Sequence, residues 1–145
     1  MPYSLLLVLH LFAAIMFVGT VFFEVIMLEG VRKHVPRDVM RTMEGAIGKR
    51  ARQIIPWVLL VLFGAGFGLA WFHRGVLSAP LDSSFGLLLS IKILLALSVF
   101  GHFLTAMALH RRGALRSRAS QRIHYSVFAH VVAIVLLAKV MFYVG

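Results

Sequence analysis

Residues 54–73 read IIPWVLLVLFGAGFGLAWFH, a run of twenty residues without Asp, Glu, Lys or Arg. At a rise of about 1.5 Å per residue, a helix of this length crosses the roughly 30 Å hydrocarbon core of a bilayer. The run is continuously apolar rather than alternating, which favours a helix over a half-buried strand. Pro56 suits the first helical turn, where a missing N–H is tolerated. The stretch therefore predicts a transmembrane helix.

Three further apolar runs accompany this one, at residues 3–28, 85–110 and 123–144. The chain has 145 residues, of which 61% are hydrophobic, and a mean hydropathy of +0.93. This composition is too apolar for a soluble domain of that size. We therefore expect one domain, an all-α membrane protein whose four transmembrane helices form an up-down-up-down bundle in the lipid bilayer.

The charged residues lie between the apolar runs. Of the 15 Lys and Arg residues, seven lie between Arg32 and Arg52 and five between Arg111 and Arg122. The positive-inside rule places segments 30–53 and 111–122 in the cytoplasm and both termini outside, as in a multi-pass protein of a bacterial inner membrane. The net charge of +10 does not indicate a nucleic-acid partner, because no aromatic side chains that could stack on bases are interleaved with the basic ones.

Two local structures are possible for segment 30–53. Met40, Met43 and Ile47 follow helical spacing with basic residues around them, which suits an amphipathic helix in the headgroup plane. A solvated basic connector is the alternative. The absence of cysteine excludes disulfides, thiolate metal sites and cysteine nucleophiles.

Ionisable side chains inside the apolar runs are the candidate functional residues, because they are expensive at bilayer depth. They are His10, Glu24, Lys92, His102, His130 and Lys139, with His73 at the edge of the second run. His10 and Lys92 each lie roughly 10 Å from the outer end of their helix, with His73 at the rim. Lys139 is close enough to its helix end to snorkel outward.

A second polar layer lies in the inner half. His102 and His130 are at comparable depth on successive helices, and two such histidines are what bis-imidazole ligation of a haem requires. We expect them to ligate a haem, with interhelical hydrogen bonding as the alternative. Glu24 reaches the same half. Three roles are possible for it: a proton relay, a metal ligand or an ion pair to arginines of the loop.

The outer layer has its own candidate roles. His10 is a candidate haem or metal ligand, with His73 or another group as its second partner, and Lys92 would pair with a haem propionate or an anionic substrate. A metal set of His10, His102, His130 and Glu24 would suit copper, although no Met-x-x-Met or His-x-His motif accompanies it. The glycines at 64, 66 and 68 are expected only to let helices pack closely.

Two stretches carry a family resemblance. LHLFAAIMFVGTVFFE (residues 9–24) resembles the opening of CopD-type copper resistance membrane proteins, and FGLLLSIKILLALSVFGHF (residues 85–103) is similar to both CopD-type proteins and HemJ-type protoporphyrinogen oxidases. The resemblance implies that His10 and Lys92 are the residues that mark HemJ-type proteins, and that the chain binds b-type haem. It also implies a role in copper handling. The arginine-rich loops and the His102–His130 layer depart from the HemJ pattern.

These observations predict a haem b-binding integral membrane redox protein of the CopD-like group that transfers electrons in copper handling. A quinol or another membrane reductant would donate electrons, and cupric ion or a periplasmic partner would accept them. The alternatives are a copper permease without haem, a HemJ-like protoporphyrinogen oxidase, and a structural subunit without a cofactor. A homo-oligomer is compatible with each of them.

Overall fold

The structure, a computed structural model, describes residues 1–115 and 117–144, and only the backbone of Ser117. Every regular element in this part of the chain is helical. The elements are α1 (Tyr3–Phe22), a π-helical turn (Phe23–Leu28), α2 (Glu29–Val31), α3 (Arg37–Phe72), α4 (Arg74–Leu77), α5 (Ser84–Arg111) and α6 (Ser117–Val140). The first three of these follow one another without a break and make one continuous helical stretch.

Four helical stretches of the described residues are long and apolar enough to cross a membrane. They are Tyr3–Val31, Arg37–Phe72, Ser84–Arg111 and Arg118–Val140. The prediction of an all-α membrane protein with four transmembrane helices is therefore confirmed. The side of the membrane on which each loop and terminus lies stays a prediction.

The second spanning helix begins earlier than hydropathy predicts. α3 starts at Arg37, and Pro56 lies in its interior rather than in its first turn. Residues 37–53 are rich in Arg, Met, Glu, Lys, Ala and Gln, which favour helix, and Met40 is only 2% exposed. The segment is therefore neither a separate amphipathic helix nor an irregular connector. It is the first part of the helix that continues through the apolar run.

The chain divides into two compact units, and the first, Met1–Phe72, is an antiparallel pair formed by α1 with its continuation and α3. The rings of Tyr3 and Phe72 pack edge to face with centroids 5.5 Å apart at one end of the pair. The buried apolar side chains of this unit are Ala13, Phe17, Val21, Leu28, Met40, Val58, Leu59 and Ala65. Because these are all apolar, hydrophobic and dispersion contacts hold the unit together.

Two glycines of α3 let the pair approach closely. A Cβ atom at Gly66 would lie 3.0 Å from Cε1 of His10, and one at Gly68 would lie 2.9 Å from Cδ1 of Leu6. Any larger side chain would displace these neighbours. Gly64 has no such contact, so the expected packing role belongs to two of the three glycines.

A cluster of three charged side chains joins the turn after α2 to α3 at the other end of the first unit. The Arg32 guanidinium donates two hydrogen bonds to the Glu29 carboxylate, each 3.0 Å long, and a further one to Glu44 on α3. These two carboxylates raise the pKa of Arg32, led by the hydrogen bonds to Glu29 and opposed by partial desolvation. The ion pair between Arg32 and Glu44 thus connects the turn between α2 and α3 to α3 itself.

The second unit, His73–Gly145, contains α4 and the antiparallel pair of α5 and α6. Phe85 near the start of α5 packs against Phe142 beyond the end of α6, with ring centroids 5.7 Å apart. The buried apolar side chains of this unit's described residues are Val99, Val127, Val131 and Met141. Three of them, Val99, Val127 and Val131, lie within three residues of His102 or His130.

Local signals set both ends of α5. The Ser83 hydroxyl accepts a hydrogen bond from the Gly86 N–H at 3.0 Å and caps the helix start. At the other end, Gly113 adopts a φ of +66°, which glycine adopts without steric cost. The Ala114 N–H then donates to the Leu109 carbonyl at 2.8 Å, which satisfies one of the last carbonyls of the helix.

Candidate functional site

His102 and His130 meet on the antiparallel helices α5 and α6. Their ring centroids are 5.1 Å apart. His102 lies roughly 13 Å along α5 from its end at Arg111, and His130 lies roughly 12 Å along α6 beyond Arg122, so both rings are at the depth of the hydrocarbon core. The structure therefore brings together the two histidines that the sequence placed at matched depth.

Two serines complete this contact and form with the histidines a group that we name the His–Ser quartet: Ser98, His102, Ser126 and His130. Nε2 of His130 lies 3.0 Å from Oγ of Ser98, and Nε2 of His102 lies 2.8 Å from Oγ of Ser126. Nδ1 of His102 lies 2.7 Å from the carbonyl of Ser98, and Nδ1 of His130 lies 2.7 Å from the carbonyl of Ser126. Each histidine thus binds one serine backbone on its own helix and one serine side chain on the other.

These partners place a proton on Nδ1 of both rings. A backbone carbonyl can only accept a hydrogen bond, so Nδ1 of His102 and of His130 must carry a proton. A serine hydroxyl can donate or accept, so Nε2 accepts from it in a neutral ring and would donate to it in a protonated ring. No side-chain polar atom in the described part of the chain is buried without a partner.

The quartet arises from a repeated pentapeptide. Residues 98–102 read SVFGH and residues 126–130 read SVFAH. A Ser and a His four residues apart lie on the same face of a helix, and when two such helices run antiparallel, the Ser of each lies opposite the His of the other. Ser98 and Ser126 are not among the predicted site residues, and this repeat is the sequence signal that indicates them.

The arrangement of His102 and His130 does not match two axial ligands of one haem. With metal–nitrogen bonds of about 2.0 Å on opposite sides of one iron, the two ring centroids would be roughly 6 Å apart with the porphyrin between them. Here the centroids are 5.1 Å apart at an interplanar angle of 59°. Both Nε2 atoms are directed to serines rather than to a common point, so the pair as it stands does not fit that role.

His10 has a different environment, in the first unit. Its Nδ1 lies 2.9 Å from the carbonyl of Leu62 on α3, so this nitrogen carries the proton and Nε2 is the acceptor. The ring lies over Gly66, where a Cβ atom would be 3.0 Å from Cε1. An imidazole held through Nδ1 by a backbone carbonyl has the orientation that metal-ligating histidines have.

The remaining predicted site residues are His73, Lys92 and Glu24, which lie at other positions along the chain. The His73 ring packs against Phe85, with centroids 5.8 Å apart, at the end of the second unit where α5 begins. Lys92 is half-buried on α5, three turns before His102, and Glu24 is half-buried in the π-helical turn. Among the described residues, no group of three or more His, Cys, Asp or Glu side chains could hold a metal ion. The predicted metal set of His10, Glu24, His102 and His130 stays a prediction, because its members belong to two different units.

A shallow apolar groove lies on the first unit. It has a volume of about 380 Å³ and is lined by Leu9, Phe12, Ala13, Met16, Gln53, Ile54, Trp57, Val58 and Val61. None of the predicted site residues lines it, so the groove is separate from the histidines.

Comparisons with known proteins do not identify a relative. The sequence matches no family model and no curated protein, and the structure matches no solved structure. The resemblance to CopD-type and HemJ-type proteins therefore stays a prediction, and the geometry of the His–Ser quartet is the firmest basis for a function.

Proposed function

We propose that this membrane protein binds a proton at the His–Ser quartet and passes it on within the bilayer. The observation that carries the proposal is the reciprocal contact of His102 and His130, in which each ring has Nδ1 on a backbone carbonyl and Nε2 on a serine hydroxyl. Ionisable groups in the interior of membrane proteins typically belong to ion pathways or proton relays. Histidine is the side chain whose ordinary pKa allows it to gain and lose a proton near neutral pH.

Proton uptake need not leave a polar group unpaired. The Ser98 hydroxyl rotates, so that its O–H donates a hydrogen bond to the carbonyl of Leu94, four residues back in α5, and the lone pair on Nε2 of His130 becomes accessible. A hydronium ion then transfers its proton to Nε2, forming the N–H bond and releasing a water molecule, and the new N–H donates to Oγ of Ser98. Ser90 already donates in this way to the Gly86 carbonyl at 2.8 Å. Release of the proton reverses these movements.

The same exchange is available to His102 with Ser126, because the quartet is reciprocal. The pair holds one proton at a time. Two charged rings with centroids 5.1 Å apart would repel each other by about 3 kcal/mol at an effective dielectric constant of about 20. No carboxylate lies in α4, α5 or α6 to compensate a second charge, since Asp82 in the connection before α5 is the only acid of the unit. A singly protonated pair can therefore move its proton between two equivalent positions.

Proton flux into liposomes tests the proposal. The protein is reconstituted into vesicles that contain a pH-sensitive dye, and a potassium diffusion potential drives proton entry. The variants His102→Gln and His130→Gln should each reduce the flux to that of protein-free vesicles, because glutamine keeps an interhelical hydrogen bond but takes up no proton. Ser90→Ala, which changes a serine of the same helix outside the quartet, should leave the flux unchanged. Equal flux in all four proteins would exclude a proton-carrying role.

A second candidate function is membrane electron transfer with a b-type haem, and His10 favours it. The Leu62 carbonyl fixes the His10 ring at 2.9 Å in the orientation of a metal ligand, with Nε2 as the coordinating atom. A bound haem would supply one-electron chemistry. The role in copper handling, the quinol donor and the pairing of Lys92 with a propionate rest on the sequence resemblance and remain part of this proposal.

A visible spectrum of the detergent-purified protein, oxidised by air and then reduced with dithionite, tests the haem proposal. His10→Ala should lose the reduced α-band of low-spin haem. His102→Ala should keep it, because the quartet does not have the geometry of an axial pair. An unchanged spectrum in His10→Ala, or a colourless wild-type protein that takes up no added haem, would refute this assignment.

A further inference from the structure

The apolar groove of the first unit plays no part in either function proposed above. Ala13 and Val58, which are buried, lie at its base, and Phe12 and Trp57, which are exposed, form part of its walls. Of the nine described residues that line it, Gln53 alone is polar. A volume of about 380 Å³ with an apolar lining and one polar group is typical of a small-molecule site.

Two exposed basic residues lie at the Gln53 end of the groove, and we name Lys49 and Arg50 the groove cations. Arg50 donates a hydrogen bond from Nη1 to Oε1 of Gln53 at 3.2 Å. Lys49 is four residues before Gln53 and therefore lies on the same side of α3. Arg52 is two residues after Arg50, which is about 160° around the helix, so it lies on the far side of α3 from the groove.

The groove cations lie at the boundary between lipid headgroups and acyl chains. Counting along the two antiparallel helices from the contact between Arg32 and Glu44, they are level with residues 26 and 27 of the first helical stretch. Both of those residues are exposed and apolar, in a run that ends at Leu28. The apolar run of α3, by contrast, begins only at Ile54. The first helix thus holds the groove cations close to the hydrocarbon core.

Positive charge exceeds negative charge at this level of the first unit. Residues 23–28 and 47–53 together contain three basic residues and one acid, Glu24. The two acids nearer the turn bind Arg32. A formal charge of two therefore remains, whichever basic residue Glu24 compensates. Basic residues between membrane helices at the headgroup level are typical binding sites for anionic lipid headgroups.

We propose that the groove and the groove cations form a binding site for one anionic phospholipid. The phosphate lies between the Lys49 ammonium and the Arg50 guanidinium, whose five N–H groups can serve both Gln53 and a phosphate. One acyl chain extends along the groove from Gln53 toward Val61. Charge complementarity favours an anionic lipid over a zwitterionic one. Trp57, 70% exposed in the groove, is of the residue type that is enriched at this depth.

Quenching of tryptophan fluorescence by brominated lipids tests the site. The chain has two tryptophans, so Trp71→Phe leaves Trp57 in the groove as the only reporter. The full chain is placed in phosphatidylcholine vesicles with increasing fractions of either phosphatidylglycerol or phosphatidylcholine that carries brominated acyl chains. Half-maximal quenching should need more than about fivefold less of the anionic lipid. In Trp57→Phe the reporter is Trp71, at the other end of α3, and the two lipids should quench equally.

Charge variants in the Trp71→Phe background locate the phosphate. Arg50→Gln should raise the half-maximal fraction of the anionic lipid about fivefold, as expected for the loss of one ionic contact with a phosphate. Lys49→Gln should have a similar effect. Arg52→Gln is the matched control, because it removes the same charge from the far side of the same helix, and it should change the fraction less than twofold.

Three outcomes would overturn the proposal. Equal quenching of Trp57 by the two lipids would mean that the groove does not select an anion. An equal effect of Arg50→Gln and Arg52→Gln would mean that the basic residues attract anionic lipids without a defined site. The absence of quenching by both lipids would mean that protein, from another part of this chain or from a second copy, fills the groove.

Discussion

Replacing Ser98 by alanine isolates one side of the reciprocal contact in the His–Ser quartet. The change removes the hydroxyl that donates to Nε2 of His130 over 3.0 Å and leaves the helix backbone intact. It also leaves that nitrogen without its observed partner in an apolar region, where Val127 and Val131 are 8% and 2% exposed. The loss of folding stability should therefore exceed the loss caused by removing an ordinary surface hydroxyl.

The expected magnitude follows from two sources. Interhelical hydrogen bonds in membrane proteins contribute about 0.6 kcal/mol on average and up to about 1.7 kcal/mol. Leaving a buried acceptor unsatisfied costs about 1–3 kcal/mol, and the lower part of that range applies because His130 is only half-buried. We expect Ser98→Ala to lower the free energy of unfolding by about 1 kcal/mol, which is about a fivefold change in the unfolding constant. Ser126→Ala should have the same effect because the two contacts are equivalent.

The assay is equilibrium unfolding in mixed micelles with increasing SDS, followed by far-ultraviolet circular dichroism. Ser90→Ala is the matched control, because its hydroxyl donates to the Gly86 carbonyl of its own helix, and it should cost less than about 0.5 kcal/mol. In a His130→Ala background, Ser98→Ala should also cost little, since the partner is already gone. The reasoning is refuted if Ser98→Ala costs no more than the control, or if its cost is the same with and without His130.

Three further changes test other parts of the account by the same unfolding assay. Gly68→Ala should cost about 1 kcal/mol, because its Cβ would lie 2.9 Å from Leu6; no loss would show that the first unit has room to adjust. Gly113→Ala should cost about 1 kcal/mol through its φ of +66°, whereas Gly75→Ala, at a glycine without close neighbours, should cost less. Arg32→Gln should cost about 1 kcal/mol. The pKa of Arg32 is raised in the folded protein, so its contribution to the free energy of unfolding is present below the ordinary arginine pKa and is lost only above it. Titration of Arg32 should therefore not affect stability between about pH 6 and 10. A fall in the stability of the wild type across that window that Arg32→Gln does not show would contradict this.

The positions of the four spanning helices could be predicted from the sequence because hydropathy reports directly on transfer into the bilayer. The start of α3 could not be predicted in this way. Residues 37–53 are polar enough to be read as a loop, yet their helix-forming composition and the burial of Met40 extend the helix to Arg37. Pro56 gave the wrong boundary because a proline can also lie inside a long helix, as it does here.

The meeting of His102 and His130 could be predicted from their depths on successive helices, since a short connection forces α5 and α6 to be antiparallel. Depth does not determine ring orientation, however. That orientation comes from Ser98 and Ser126, whose carbonyls bind Nδ1 and whose hydroxyls bind Nε2. Depth and residue type indicate the histidines alone, so they do not reveal the two serines on which the orientation of the rings depends.

For the other polar residues, the sequence gives the depth of the side chain but not its direction. A position along a helix indicates how deep Lys92 or Glu24 lies but not which helix it faces. The π-helical turn at Phe23–Leu28 also changes the phase of the helix around Glu24, so that regular helical spacing does not predict which way its side chain faces. No pattern of apolar residues in this stretch predicts such a turn.

The most direct test of the central claim is nitrogen NMR of the protein labelled with ¹⁵N in its histidine rings, in micelles, with His102→Gln and His130→Gln used to assign the two signals. The account predicts that at about pH 9 both rings carry their proton on Nδ1. A proton on Nε2 instead of Nδ1 in either ring at that pH would contradict it.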